Sequence, residues 1–565
     1  MGKLNKGNSD SGSGFAGFLE KCLYYLLYIM PACLFLSYHP VIKLGESETM
    51  YFELSVAEIW LVVFDIVGLV FLIRRKMLFR DCGKWWVWML LPIWVTLSVT
   101  WTLNVPRGVL TVGLMWGVVF AGYVLCQLRA GFDARFRNLW LKWFFGATIG
   151  VCLWCMVQCV LNLAGVAQSA TLLCDGCTYR MFGFPHPNGF AIEPQFMGNL
   201  LLAPAMMGAW LFARKQADKK SSLEHSRGVV SVTAKSDSAR YSSAESSSVA
   251  VSKNTTGPRF LCSDFLPVWF FIVATTLFLT FSRGAIYAFI VGMMFLTGFE
   301  IAKVKKKERG KVFGRFGVVW GVVIGAFVVA LGVQGLMAEV SPTTDTFATG
   351  VSKVINHLSL GVIDLGERGE LAPGEALDGV VEKPVEKSDG KSAERGVVGV
   401  ADEGKMNEVR DVDSKEDTGS EPSDGKEEAV FDGYVAESTD TRMRLTGAAI
   451  EIWRQNPKNM ILGVGIGGAG QALYNNGLSP APREIVQNEY ASLLLETGVI
   501  GVLLAVILII MFVKVALKNV MAGVILALVV AYGVSLVFFS GLPNALHVYL
   551  MPVVLILFKN KKFIF

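Results

Sequence analysis

Arginines are the residues of this chain whose type and setting could do chemistry. Arg283 stands inside "LFLTFSRGAIYAFIVGMMFL" (277–296), between Ser282 and Gly284 in an otherwise apolar run. An arginine at the centre of a membrane-buried helix costs about 2.5–3.5 kcal/mol, so it needs a partner, water or an interface. Arg442 and Arg444 open "TRMRLTGAAIEIWRQNP" (441–457). Its Leu445, Ala448, Ala449, Ile452 and Trp453 share one face of a helix capped at Thr441. Cations in a helix's first turn oppose its dipole, and the placement makes sense where an anion is held there too. With Ser282 as N-cap, Arg283 stands in the same relation to the helix that follows it. A guanidinium stays charged and presents a planar fork of donors, so these residues suit recognition of a phosphate-type anion.

Two more stretches carry polar candidates. "YRMFGFPHPNGFAIEPQF" (179–196) holds Arg180, His186, Asn188 and Glu193, and "ILGVGIGGAGQALYNNGLSPAPREIVQNEYASLLLETGVIG" (461–501) holds Gln487, Asn488 and Glu489. "GVGIGG" (463–468) fits the dinucleotide fingerprint GxGxxG, but no βαβ unit surrounds it and no acidic ribose ligand follows. Its glycines form either a tight turn packed on the membrane face or a nest of backbone amides for an oxyanion. Arg180 contacts an anion or pairs with Asp175. Glu489 pairs with Arg483, and Trp453 and Tyr490 read as packing residues.

The elements that must position these groups are membrane helices. Of 565 residues, 53% are hydrophobic and 18% charged, with a net charge of +5 and a mean hydropathy of +0.48. Apolar runs of about 20 residues recur, each long enough to cross a bilayer core of about 30 Å. Period-two strands are missing from the pattern, which excludes a barrel. The fold class is an all-α polytopic membrane protein of about twelve transmembrane helices, with a long external loop before helix ten. Residues 1–213 hold helices one to six and 264–337 hold seven to nine, with Asp65 the clear acidic residue deep in a span. Residues 489–565 hold ten to twelve. Basic segments such as "RRKMLFRDCGK" (74–84) and "KVKKKERGKVFGR" (303–315) fall on one side, which puts both termini in the cytoplasm and the arginines outside. The polar start "MGKLNKGNSDSGSGF" has no cleavable signal pattern.

Two segments stand apart. Residues 214–263 are serine-rich and read as a disordered cytoplasmic linker. The external loop 338–488 divides into an acidic insert at 361–440 and a structured part at 441–488. The insert carries 23 Asp and Glu against 9 Lys and Arg, so the rest of the chain is strongly basic. Cys174 and Cys177 in "LLCDGCTYR" form an external CxxC that suits a small disulfide; a metal site would need further ligands. The other eight cysteines fall mostly in spans.

Few anions are both embedded in a membrane and exposed outside it; a sugar linked to polyprenyl diphosphate is one. "TFSRGA", "PNGFA" and the succession from Arg442 through "AAIEIW", a proline, "GVGIG" and "NEYASLLLETGVIG" resemble the O-antigen ligase and polymerase superfamily of bacterial membrane proteins. The resemblance covers the twelve-helix plan, the long loop before helix ten and these motifs. It implies transfer of a glycan from undecaprenyl diphosphate to an acceptor outside the cytoplasmic membrane, for cell-envelope polysaccharide, without a metal or other cofactor and without nucleic acid. The acceptor is a glycan, a lipid or a protein. By the resemblance Arg283 and Arg442, with Arg444 the near alternative, hold the diphosphate and stabilise the leaving group. The ligase branch has a histidine where this chain has Gln487, directly before Asn488. Glutamine positions a hydroxyl but cannot remove its proton. That task falls to His186, Glu193 or Glu489, or to no group because the diphosphate leaves readily. A transporter and a non-catalytic envelope scaffold are the rival readings.

Overall fold

In the computed structural model the described residues are 13–47, 50–78, 85–164, 179–181, 184–191, 193–233, 265–340, 346–359, 441–479, 481–482, 485–539, 541 and 545–557. Most of them are helical. In chain order the elements are α1 (Ser13–Phe35), β1 (Val41–Ser47), β2 (Met50–Ser55), α2 (Val56–Arg74), α3 (Trp86–Ser98), α4 (Val105–Leu128), α5 (Ala134–Leu163), β3 (Tyr179–Met181), β4 (Phe184–His186), α6 (Pro194–Thr233), α7 (Phe265–Leu279), α8 (Arg283–Ala302), α9 (Arg309–Val340) and α10 (Phe347–Leu358). There follow α11 (441–454), α12 (Pro457–Leu462), α13 (Ala469–Asn475), α14 (Glu489–Ala516), α15 (Ala522–Ser535) and α16 (Leu546–Leu557).

Each of the twelve apolar stretches picked out from the sequence forms a helix. Among the described residues eight helices are long and apolar enough to cross a membrane: α1, α2, α4, α5, α6, α8, α9 and α14. The apolar helices α3, α7, α15 and α16 are shorter. The chain is thus a mostly helical polytopic membrane protein. One core runs through the bundle, with Trp140, Trp210, Trp269, Phe270 and Phe289 fully buried in it. α8 packs on α15 and α6, α9 on α7, and α3 on α14.

Three features depart from the sequence reading. First, β1 pairs with β2 and β3 with β4 in two antiparallel hairpins. Their strands are too short, and in β1 too irregular at Lys43/Gly45, to show a period of two. Second, α6 continues through Thr233. The first twenty residues of the expected disordered linker are therefore helical, and "ARKQADKKSSLEH" is indeed rich in good helix formers. Third, the expected external loop begins with α10, an amphipathic helix that buries Gly350, Val354 and His357 against α9. The acidic insert 361–440, Cys174, Cys177, Asp175 and Arg483 lie outside the described residues.

Helix starts carry their caps. Ser282 accepts from the Ala285 amide to open α8. Asn488 accepts from the Tyr490 and Ala491 amides to open α14. Asn104 and Pro106 open α4, and Thr346 opens α10. The Ser, Asn and Thr side chains satisfy amides that a helix leaves unpaired at its first turn, and Pro106 has no amide hydrogen to leave unpaired there. The 441–454 helix buries Leu445, Ala448, Ala449 and Ile452, with Trp453 half-buried beside them, so the face predicted from spacing is the packed one.

α14 is not continuous. Gly498 has φ 64° and ψ −171°, which breaks the helix ten residues from its start. The break frees carbonyls in an apolar setting, where each unmet group costs several kcal/mol. The glycine-rich loop after α12 meets them. Val464 N donates to Leu495 O at 2.9 Å, Gly465 N to Glu496 O at 3.0 Å, and Trp94 Nε1 to Thr497 O at 3.1 Å. The loop reaches this depth because Gly463, Gly465 and Gly467 all have positive φ. A side chain at Gly465 would meet the Thr102 backbone at 2.3 Å. The tight-turn reading of "GVGIGG" is therefore correct, and the amide nest is occupied by the protein itself. Glu496 accepts from the Gly467 and Ala469 amides, the latter at 3.2 Å, with Arg107 of α4 within electrostatic reach. Ser98 Oγ accepts from Ile466 N and Thr102 Oγ1 donates to Ile466 O, so the end of α3 grips the same loop. Glu496 is, with Glu58 of α2, a buried carboxyl in an apolar helix, a feature the sequence pattern does not single out.

Candidate functional site

Four helix starts converge on Arg442. It is the second residue of α11, and its Nε donates to Gln487 Oε1 at 2.7 Å, just before α14 begins. Its Nη2 donates to Gln195 Oε1 at 3.0 Å, in the first turn of α6. Its charge also acts on Arg283, the first residue of α8. A helix amino end carries about half a positive charge and outward-pointing amides. Two guanidiniums set among four such ends make a strongly electropositive place.

Arg442 is half-buried and Arg444 is exposed. The helical face explains this. Arg442 shares the spacing of Leu445, Ala449 and Ile452, at 3, 7 and 10 residues onward, whereas Arg444 projects from the other side. That periodicity, visible in the sequence, separates the two arginines that motif spacing left as alternatives.

Gln195 was not among the sequence candidates. Its Nε2 donates to Phe538 O at 2.6 Å, so it ties Arg442 to the end of α15. One turn deeper on α6, Asn199 takes a short hydrogen bond from Ser535 of α15. Polar residues four apart at the start of an apolar helix were the available signal. Gln487 spends its amide oxygen on Arg442, which leaves its amide N–H groups to meet a hydroxyl.

Glu193 is the carboxylate that acts on Arg442. Burial raises its carboxyl above the usual carboxylate range, and Arg442 opposes that rise. The residue remains exposed on one side, so its carboxyl is open to a proton donor. A carboxylate in this state is a better base than an ordinary one.

The other candidates are engaged elsewhere. His186 is buried; its Nδ1 lies 3.5 Å from Leu279 O, and its ring stands edge-on to Phe281, with centroids 5.5 Å apart. Asn188 closes the "PNGFA" turn by donating to Ala191 O at 2.9 Å, and Gln158 clamps Gly189 through two hydrogen bonds. Glu489 accepts from Gly541 N at 2.6 Å and from Tyr549 Oη at 3.4 Å, so it ties α14 to the connection between α15 and α16. Ser282 and Asn488 act as helix caps. The backbone of Arg180 pairs with Pro185 in the second hairpin. Tyr490 donates to Gly533 O and Trp453 to Met460 O, as packing residues do.

The turn that presents Arg283 is strained. Phe281 is fully buried with φ 43°, a left-handed conformation that costs a non-glycine residue about 1–3 kcal/mol. His357 of α10, also absent from the sequence candidates, hydrogen-bonds to the Phe281 carbonyl. It was legible as a histidine on the apolar face of "FATGVSKVINHL", in register with Gly350 and Val354. Burial pushes its pKa down to about 3, and Arg283, His186 and Arg442 add to the effect. The imidazole is neutral near pH 7. Among the described residues no group of three or more His, Cys, Asp or Glu could hold a metal ion.

The fold is that of a polytopic helical membrane protein, and two of its arginines gather where helix amino ends converge. Residues 268–506 match the family model described as O-antigen ligase. That stretch is similar to the O-antigen ligase family, as the motifs suggested, and the match supports glycan transfer as the general class of reaction. It holds Arg283, His357, Arg442 and Gln487, whereas Glu193 and Gln195 come from the segment before it. No curated protein and no solved structure matches the chain.

Proposed function

We propose that this protein transfers a glycan from undecaprenyl diphosphate to an acceptor hydroxyl at the outer face of the bacterial cytoplasmic membrane. The observation that carries the reading is the convergence of Arg283 and Arg442 with four helix amino ends. This is a place built for multiple negative charge, and a diphosphate carries such charge. The donor's lipid tail lies in the bilayer while its diphosphate engages the two arginines. The acceptor oxygen attacks the anomeric carbon, the bond from that carbon to the phosphate oxygen breaks, and undecaprenyl diphosphate leaves with the electron pair. Negative charge grows on the leaving oxygen as the bond breaks, and the guanidiniums stabilise it there. The acceptor proton passes to Glu193, the one of the three carried candidates whose side chain is open and beside Arg442. Gln487, fixed by Arg442, orients the hydroxyl. A single displacement inverts the anomeric centre.

The basic loops support this orientation, because the positive-inside rule favours cytoplasmic termini and a site on the outer side. The test is release of undecaprenyl diphosphate from a lipid-linked oligosaccharide pool in vesicles, with acceptor extract supplied. Wild type should release it, and Arg283→Ala and Arg442→Ala should lose about 10²–10³-fold, the usual effect of removing a transition-state donor. Equal release by wild type and both variants would overturn the assignment of the arginines.

A further inference from the structure

We propose that His357, near the end of α10, is a positioning residue that sets the arginine turn between α7 and α8 and so aims Arg283. The inference rests on Arg283 being a donor-phosphate residue, and it extends the site to a helix to which neither the motifs nor the resemblance gives any role.

The argument begins with the backbone. Phe281 sits two residues before Arg283 in a left-handed conformation that an aromatic side chain adopts only under constraint. The constraint comes from several sides. The carbonyl of Phe281 takes a hydrogen bond from His357. The ring meets His186 edge-on and packs in a small cluster with Cys159, Met337, Ala338 and Val354, the last of these one turn before His357 on α10. Thr280 Oγ1 accepts from Ser282 N and donates to Leu277 O, closing the turn from within.

α10 is in turn fastened to the helix it serves. Tyr287, one turn along α8 from Arg283, donates a short hydrogen bond to Leu358 O, the residue after His357. The helix that carries the imidazole is thus tied to the helix that carries the guanidinium. The charges acting on His357 are Arg283, His186 and Arg442. None of them favours an imidazolium, so the ring is neutral and has a single N–H to give. Without that bond, the peptide after Phe281 is free to relax towards an ordinary conformation, and the direction in which Arg283 leaves the turn changes with it.

The test uses the full-length protein in lipid vesicles with a lipid-linked oligosaccharide donor and acceptor extract. It compares wild type, Arg283→Ala, His357→Phe and His357→Gln. Phenylalanine keeps the ring's bulk but has no donor, whereas glutamine keeps an N–H that can reach the carbonyl. His357→Phe should raise the KM for the donor about tenfold or more and leave the KM for the acceptor within about twofold. His357→Gln should return the donor KM to within about threefold of wild type, and thermal midpoints should stay close. Loss of activity in Arg283→Ala, with wild-type kinetics in His357→Phe, would overturn the role of His357 alone. So would equal losses in both His357 variants that track falling thermal midpoints, since His357 would then matter only for packing. Equal activity in wild type and Arg283→Ala would instead overturn the donor reading, and this inference with it.

Discussion

Replacing Glu496 by alanine should unlock the glycine-rich loop from the break in α14. The carboxylate is buried and accepts hydrogen bonds from the Gly467 and Ala469 amides, with Arg107 close by. Hydrogen bonds to a charged group contribute about 1.5–3 kcal/mol each. Deleting one partner of a buried charged network costs about 3–5 kcal/mol, much of it from the groups left behind. Arg107 is half-buried and can turn to water, so the lower end applies, about 3 kcal/mol. The loss falls on a local unit, because the loop is held by a few identifiable contacts at α3, α4 and α14. A decrease of 3 kcal/mol in the cost of opening raises the open population about 10²-fold.

Hydrogen exchange of the protein in lipid nanodiscs reads this directly. Peptides spanning 463–475 should exchange about a hundred times faster in Glu496→Ala, while peptides from α7 and α8 stay protected. Glu496→Gln should fall between, since it keeps one acceptor but turns an NH2 towards an amide. Exchange in 463–475 within about threefold of wild type, in a folded Glu496→Ala protein, would refute the assignment of Glu496 as the lock.

Three further outcomes can be checked. Gly498→Ala should lower the thermal midpoint more than Glu496→Ala, because a Cβ there meets Ile461 O at 2.2 Å in a backbone with φ 64°; an unchanged midpoint would mean the break is not as described. His357, at about 3 in the folded protein against an ordinary 6.5, leaves the unfolded chain holding more protons between those values. Stability should therefore fall as pH drops from 6.5 towards 3, and His357→Gln should show a shallower decline in thermal midpoint than wild type. Glu193→Gln should cut turnover about 10²–10⁴-fold and remove the rise of activity with pH that deprotonation of a raised carboxyl produces. A variant with the wild-type pH profile would assign the proton to another group.

What could be read from the sequence follows from what periodicity and local chemistry encode. The apolar runs predicted helices because length and hydropathy are local. The capping role of Ser282 was legible because a cap is a contact across two or three residues; Asn488, taken from the sequence as a binding candidate, proves to be a cap of the same local kind. The buried face of the 441–454 helix was legible for the same reason, and that face also chooses Arg442 over Arg444. What stayed hidden is pairing at a distance. Gln195 meets Arg442 across 247 residues, and nothing in the local pattern of α6 says which cation its amide will serve. The carboxylate inside the glycine nest was hidden likewise, since Glu496 and Gly467 each look ordinary until the helix break brings them together.

The glutamine at 487 shows why this matters for function. Taken alone, it subtracts a base from the pattern the resemblance implies. In the structure it holds Arg442 from one side while Gln195 holds it from another, so two neutral acceptors fix the direction of the guanidinium. Neutral acceptors orient a guanidinium without cancelling the positive charge that an incoming diphosphate needs. Two amides fix the direction of the guanidinium and leave its charge intact. The same logic accounts for the neutral imidazole at 357. Neutral groups can thus set the geometry of the arginines without spending the positive charge that a diphosphate would meet.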